Sequence, residues 1–122
     1  MNDCLTEEQE QIALMQWAKF YELTHPELCL LFHIPNGGKR SAREGARFKA
    51  AGVKAGVPDL FLPVASGEYH GLFIELKRVK GARVSPAQVR WGKDLTAQGY
   101  AVFICKGWRD AADTILRYLN DG

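Results

Sequence analysis

Short apolar runs bounded by glycine and proline alternate in this chain with stretches of helical periodicity. That alternation narrows the fold to helices packed on a mixed sheet. Thr6 followed by Gln9 is a capping-box signal, and Ala13, Leu14, Trp17, Ala18, Phe20 and Tyr21 recur at helical spacing. A helix is therefore expected from Glu7 to Leu23, ended by His25-Pro26. Leu28 to Ile34 is a continuous apolar run, expected as a buried strand and broken by Pro35-Asn36-Gly37-Gly38. Ser41 is placed to cap a short helix through Ala51, before Gly52. Asp59–Pro63 and Gly71–Lys77 read as two strands of a hairpin that turns at Ser66-Gly67-Glu68. Ser85 and Pro86 open a second long helix and Gly99 stops it. Tyr100–Cys105 is a fourth strand, and Trp108–Leu119 a last helix with Ala112, Ile115, Leu116 and Leu119 on one face. The expectation is an α/β fold in one domain, residues 1–122, with a mixed four-stranded sheet flanked by helices.

Composition agrees: 122 residues, 47% hydrophobic and 25% charged, are ordinary for a globular domain and exclude collagen, coiled coil and disorder. No apolar run approaches the ~20 residues of a membrane helix, and no basic segment leads an apolar one at the N-terminus. A cytoplasmic protein without membrane partners is expected. Cys4, Cys29 and Cys105 are odd in number and far apart, which argues against a disulfide framework or a cysteine zinc site.

Net charge is only +2, but it is segregated. Met1–Glu27 carries six acids against Lys19 alone. His33–Lys54 carries six bases against Glu44, and Leu76–Lys93 six bases and no acid. Two basic segments on a nearly neutral chain form either the footprint of a polyanion such as nucleic acid or two solvated faces.

Gly56-Val-Pro-Asp59 and Ile74-Glu-Leu-Lys77 carry the candidate chemistry. Glu75 and Lys77 are two apart in a strand, so both leave the same face of the sheet. Pairing with the strand that starts at Asp59 brings that carboxylate near Glu75. Two carboxylates make a hard oxygen site for Mg²⁺ or Mn²⁺, with water and phosphate filling the other positions. The ammonium of Lys77 suits an attacking water or the charge that develops on phosphate. Singly, an Asp after Pro is an ordinary turn residue and Glu-x-Lys an ordinary wet face. Together, in otherwise apolar strands, they stand out.

In this arrangement Asp59 and then Glu75-Leu-Lys77, after a glutamate-rich leading helix, resemble the PD-(D/E)XK nuclease signature. More narrowly, Lys54-Ala-Gly-Val-Pro-Asp-Leu60, Phe73-Ile-Glu-Leu-Lys77 and Val84-Ser-Pro-Ala-Gln88 with Trp91 resemble the VRR-NUC branch. Ile34-Pro-Asn-Gly-Gly-Lys39 and Thr6-Glu7 with Gln11 are similar to small stand-alone phage and bacterial members. The resemblance spans Thr6 to Cys105 and implies a restriction-endonuclease-like αβββαβ core. It further implies that Asp59 and Glu75 bind metal, that the backbone carbonyl of Leu76 completes the coordination, and that Lys77 is catalytic. Gln88 matches the family's glutamine that approaches the active site. A glutamate of the first helix is also implied: Glu7, with Gln11 four residues on, or Glu10 as the alternative.

Lys39, Arg40 and Arg43 follow the glycine-rich loop and read as phosphate contacts or as a plain turn; Lys54, Arg78 and Lys80 are further DNA-contact candidates. His33 reads as a hydrogen-bonded strand-end residue, and Trp91 and Trp108 as core or dimer contacts. Nothing resembles a base-reading device, so recognition of DNA shape is favoured. The resemblance implies a four-way-junction resolvase acting as a homodimer, since paired cuts need two sites. A flap, nick or non-specific nuclease is the alternative within enzymes, and a non-catalytic nucleic-acid-binding module the alternative of another class.

Overall fold

The computed structural model describes residues 4–35 and 41–120. Helix α1 spans Glu7–Tyr21 and starts with the expected capping box: the Thr6 hydroxyl accepts from Gln9 N–H while the Gln9 side chain accepts from Thr6 N–H. Strand β1 is Phe32–His33, helix α2 Ala42–Ala50, strand β2 Leu60–Leu62 and strand β3 Leu72–Lys77. Helix α3 (Pro86–Ala97), strand β4 (Ala101–Lys106) and helix α4 (Trp108–Asn120) complete the chain. The sheet order is β1-β2-β3-β4, with β1/β2 and β2/β3 antiparallel and β3/β4 parallel. The parallel step needs a crossover, which α3 supplies.

One face of the sheet holds the core. Leu60, Leu62, Leu72, Ile74, Leu76, Ala101 and Cys105 meet Leu14 and Ala18 of α1 and Ala111, Ala112, Ile115 and Tyr118 of α4. Ala112 and Ile115 are thus spent inside the domain, Leu119 packs against the same core, and Leu116 is half-buried. Burial pushes the Cys105 thiol up to about 11, so it packs as an apolar group. On the other face an aromatic ladder runs across the strands: Phe32 meets Phe61 edge-on, Phe61 stacks on Phe73 at 4.2 Å, and Tyr100 meets both.

The segment expected as a strand over Leu28–Ile34 differs. Pro26–Leu30 is a 3₁₀ helix, and only Phe32–His33 pairs with the sheet. Pro26 sits in the first turn, where no backbone donor is needed. Leu28 and Leu31, three apart, both point into the core while Cys29 and Leu30 stay outside. Three-residue spacing is the 3₁₀ period. The β2–β3 connection is also longer than a tight hairpin. Residues 63–71 intervene, with Ser66 and Tyr69 exchanging backbone hydrogen bonds across a turn at Gly67.

Between β1 and β2 the chain makes an excursion that includes α2. Its two ends are tied where Ile34 N–H donates to the Asp59 carbonyl at 2.7 Å. The His33 ring nitrogen Nδ1 lies 2.9 Å from the same carbonyl, which gives that histidine its strand-end hydrogen bond. Helix α2 is capped reciprocally by Ser41 and Glu44, and none of its residues is buried.

Candidate active site

Strand alternation sends Leu72, Ile74 and Leu76 into the core and Phe73, Glu75 and Lys77 to the opposite face. Glu75 is 4% exposed and Lys77 6%, so two charged side chains are buried together beneath the N-terminus of α3. Lys77 Nζ lies 3.3 Å from Glu75 Oε2. Asp59, just before β2, is anchored by the Leu76 N–H, which donates to its Oδ2 at 2.9 Å.

Gln88 joins these groups. Its Nε2 donates to Glu75 Oε2 at 2.9 Å, and its Oε1 accepts from Lys77 Nζ at 3.0 Å and from Ser85 N–H at 2.8 Å. The Ser85 hydroxyl accepts from Gln88 N–H in return, so the capping box that starts α3 also orients the amide in the site. Both amide atoms are therefore assigned by their partners.

Glu75 Oε1 is buried without a hydrogen-bond partner among the described residues. Burial, and then the negative charge of Asp59, push the Glu75 carboxyl from 4.5 up to about 8, against the opposing pull of Lys77. Both the orphaned oxygen and the raised value mark a place that a cation would stabilise. Among the described residues no three His, Cys, Asp or Glu side chains converge on a point. Two carboxylates nonetheless suit Mg²⁺ or Mn²⁺, hard cations that retain several waters and take the rest of their oxygens from phosphate. Asp59 and Glu75 would hold such an ion, so the donor set fits it.

Asp59, Glu75, Lys77 and Gln88 thus come together. The first-helix candidates go elsewhere. Glu10 is 3% exposed and its Oε1 accepts from Trp108 N–H at 2.9 Å, capping α4. Glu7 is exposed and lines a surface concavity with Thr6, Arg78 and Lys80. Arg78 shapes the loop after β3, its Nε donating to the Lys80 carbonyl and its Nη2 to that of Gly81. Lys80, Arg43 and Lys54 are exposed, whereas Lys39 and Arg40 lie outside the described residues. Trp108 packs on the core beneath the Arg109 guanidinium. Trp91 has a partner that spacing does not reveal: its Nε1 donates to the Ala55 carbonyl at 3.1 Å.

A mixed sheet in this order, with Asp59 and Glu75-x-Lys77 at adjoining strand ends, defines a nuclease core of the PD-(D/E)XK type, a class that uses divalent metal ions. Residues 5–108 match the model of the VRR-NUC domain, and the chain belongs to that family. A solved structure described as a VRR_NUC domain protein is similar with a TM-score of 0.84 and 35% identity. The match covers 97% of this chain and 91% of that one. No curated protein matches the chain. Family membership makes this a nuclease, a phosphodiester hydrolase that acts on DNA.

Proposed function

We propose that the chain is a Mg²⁺- or Mn²⁺-dependent endonuclease of branched DNA, a homodimer that cuts four-way junctions. The observation that carries the catalytic part is the Asp59–Glu75–Lys77–Gln88 cluster, with Glu75 and Lys77 buried and one Glu75 oxygen without a hydrogen-bond partner among the described residues. An inert binding module gains nothing from two carboxylates facing phosphate, because they repel it without a cation.

Asp59 and Glu75, with the backbone carbonyl of Leu76, would hold a divalent ion, and such an ion would supply charge stabilisation to the phosphodiester and acidify water. Lys77 does the rest of the polar work. Its ammonium, fixed between Glu75 and Gln88, donates to the attacking water or to the oxygen on which charge develops. Gln88 keeps that ammonium and the Glu75 carboxylate in register.

DNA contact is assigned to the basic excursion. Arg43 and Arg47 stand one turn apart on α2, where every side chain is accessible, and Lys54 follows. Such phosphate contacts position the duplex without reading its sequence. Two-fold symmetric junctions need two incisions, and an isologous dimer supplies two sites.

The test uses end-labelled four-way junction, fork and linear duplex with Mg²⁺, Mn²⁺ or EDTA, and Asp59→Asn as control. Junction cleavage that requires metal and is lost in Asp59→Asn is expected. Preferred cutting of the fork would point to a flap nuclease, and binding without cutting to an inert module. Mixing wild-type and Glu75→Gln subunits on a cruciform plasmid tests the dimer. Heterodimers should nick it and wild-type dimers linearise it, whereas a monomeric mass with single nicks from wild type would refute paired cutting.

A further inference from the structure

The loop that delivers Asp59 to the site has no regular structure over residues 51–59, yet its carboxylate must be held against Glu75 on a different strand. Two contacts with α3 fasten it. Trp91 Nε1–H donates to the Ala55 carbonyl at 3.1 Å. One residue on, Gly56 adopts φ +91, and a Cβ there would stand 2.7 Å from Ala87 Cβ and 2.8 Å from its carbonyl carbon. Only glycine has the conformation and the clearance for that approach. Pro58 is buried and fixes the backbone immediately before Asp59. Helix α3 therefore touches the site twice: through Gln88 on Glu75 and Lys77, and through Ala87 and Trp91 on the loop that carries Asp59.

We infer that Trp91 is a positioning residue of the active site: with Ala87 against Gly56, its indole N–H clamps the Ala55–Asp59 loop to α3 and, together with the Leu76 N–H on the Asp59 carboxylate, sets the distance between the two carboxylates. The inference rests on the metal-site reading above for its consequence, and on the contacts of Ala55 and Gly56 with α3 for the clamp itself. Trp91 is half-buried, near neither Glu75 nor Lys77 by hydrogen bond, so it acts through the loop. A ring serving only as core filling would tolerate loss of its N–H. A clamp would not, because the loop would lose its polar tie to the helix and Asp59 would sample positions away from Glu75.

The test compares wild type, Trp91→Phe, Gly56→Ala and a protein with β-(3-benzothienyl)alanine at position 91, which keeps the indole shape without the N–H. Three readouts are taken: amide exchange over residues 54–60 in the metal-free protein, Mn²⁺ affinity by titration, and single-turnover cleavage against enzyme concentration. The clamp predicts faster exchange confined to 54–60, Mn²⁺ affinity lower by roughly 10-fold, and a cleavage rate lower by about 10- to 100-fold at unchanged DNA affinity. The benzothienyl protein should behave like Trp91→Phe, and Gly56→Ala should be at least as impaired. Wild-type exchange and Mn²⁺ affinity in the benzothienyl protein would overturn the clamp, as would weakened DNA binding with an unchanged rate. Exchange and metal affinity do not depend on cleavage, so an inactive wild type would refute the nuclease reading while still deciding the clamp.

Discussion

Replacing Glu75 by glutamine should change the pH dependence of stability before it changes anything else that can be measured without DNA. The Glu75 carboxyl is pushed from 4.5 to about 8, by burial first and Asp59 second. Between those values the folded protein keeps a proton that the unfolded chain has released. Stability must then fall as pH rises, by up to about 1.4 kcal/mol per pH unit. The full window corresponds to a ceiling of about 5 kcal/mol, large beside the roughly 5–15 kcal/mol that holds a typical domain together. Below the lower value both states are protonated and this group contributes no slope; above the upper value the loss is complete. Glu75→Gln keeps the shape and removes the titration. In metal-free buffer the wild type should therefore lose on the order of 15 °C in Tm relative to Glu75→Gln between pH 5 and 8.5. Mn²⁺ should restore the wild type at the alkaline end, with release of a proton near neutral pH, and leave the variant much less affected. Parallel Tm curves for the two metal-free proteins would refute the assignment of a buried, charge-stressed carboxyl at this position.

Lys77→Ala should lower the cleavage rate by at least roughly 100-fold, yet still bind Mn²⁺ in alkaline buffer, at a higher pH than wild type because the Lys77 charge no longer opposes the rise of the Glu75 carboxyl; an ammonium donates no electron pair to a metal. Loss of Mn²⁺ binding there would make Lys77 a structural group. Glu10→Ala should cost about 1 kcal/mol in urea unfolding, because it strands the half-buried Trp108 N–H that starts α4, while Mn²⁺ affinity stays within about twofold of wild type. A collapse of metal affinity instead would return Glu10 to the metal site. Arg43→Ala with Arg47→Ala should weaken binding to all DNA sequences alike and reduce the salt slope by roughly two units, at about 0.9 per phosphate. An unchanged slope would remove α2 from the DNA interface.

How much of this was legible in the sequence depended on whether the deciding contact was local. Strand β3 was readable because an apolar run carried Glu75 and Lys77 at the same parity, and α3 because Ser85, Pro86 and Gly99 punctuate its ends. The segment Pro26–Leu30 was not, since a short apolar run has no periodicity that separates a strand from a tight helix. Its shape follows from the core position of Leu28 and Leu31. The first-helix glutamates turned on where α4 begins, which spacing within α1 does not encode. Trp91 was hidden for the same reason, its partner being a carbonyl 36 residues away. Gln88 had a local trace, the Ser-x-x-Gln pattern of its cap, but its bonds to Glu75 and Lys77 are tertiary.

The excursion between β1 and β2 leaves and re-enters the sheet through neighbouring residues, joined by the Ile34 to Asp59 hydrogen bond. Its helix contributes no buried residue, so little of the core depends on α2. Changes in its length add only slowly to the entropy of closing the loop. The helix is therefore separable from the rest of the protein in an evolutionary sense: it can be lengthened, recharged or exchanged while the strand register and the Ala55–Asp59 loop stay in place. Relatives that share this catalytic core are free to diverge here first. Grafting their versions of α2 onto residues 41–52 of this chain, short of the Ala55–Asp59 loop that α3 holds, is a direct route to altered DNA preference with the chemistry left intact.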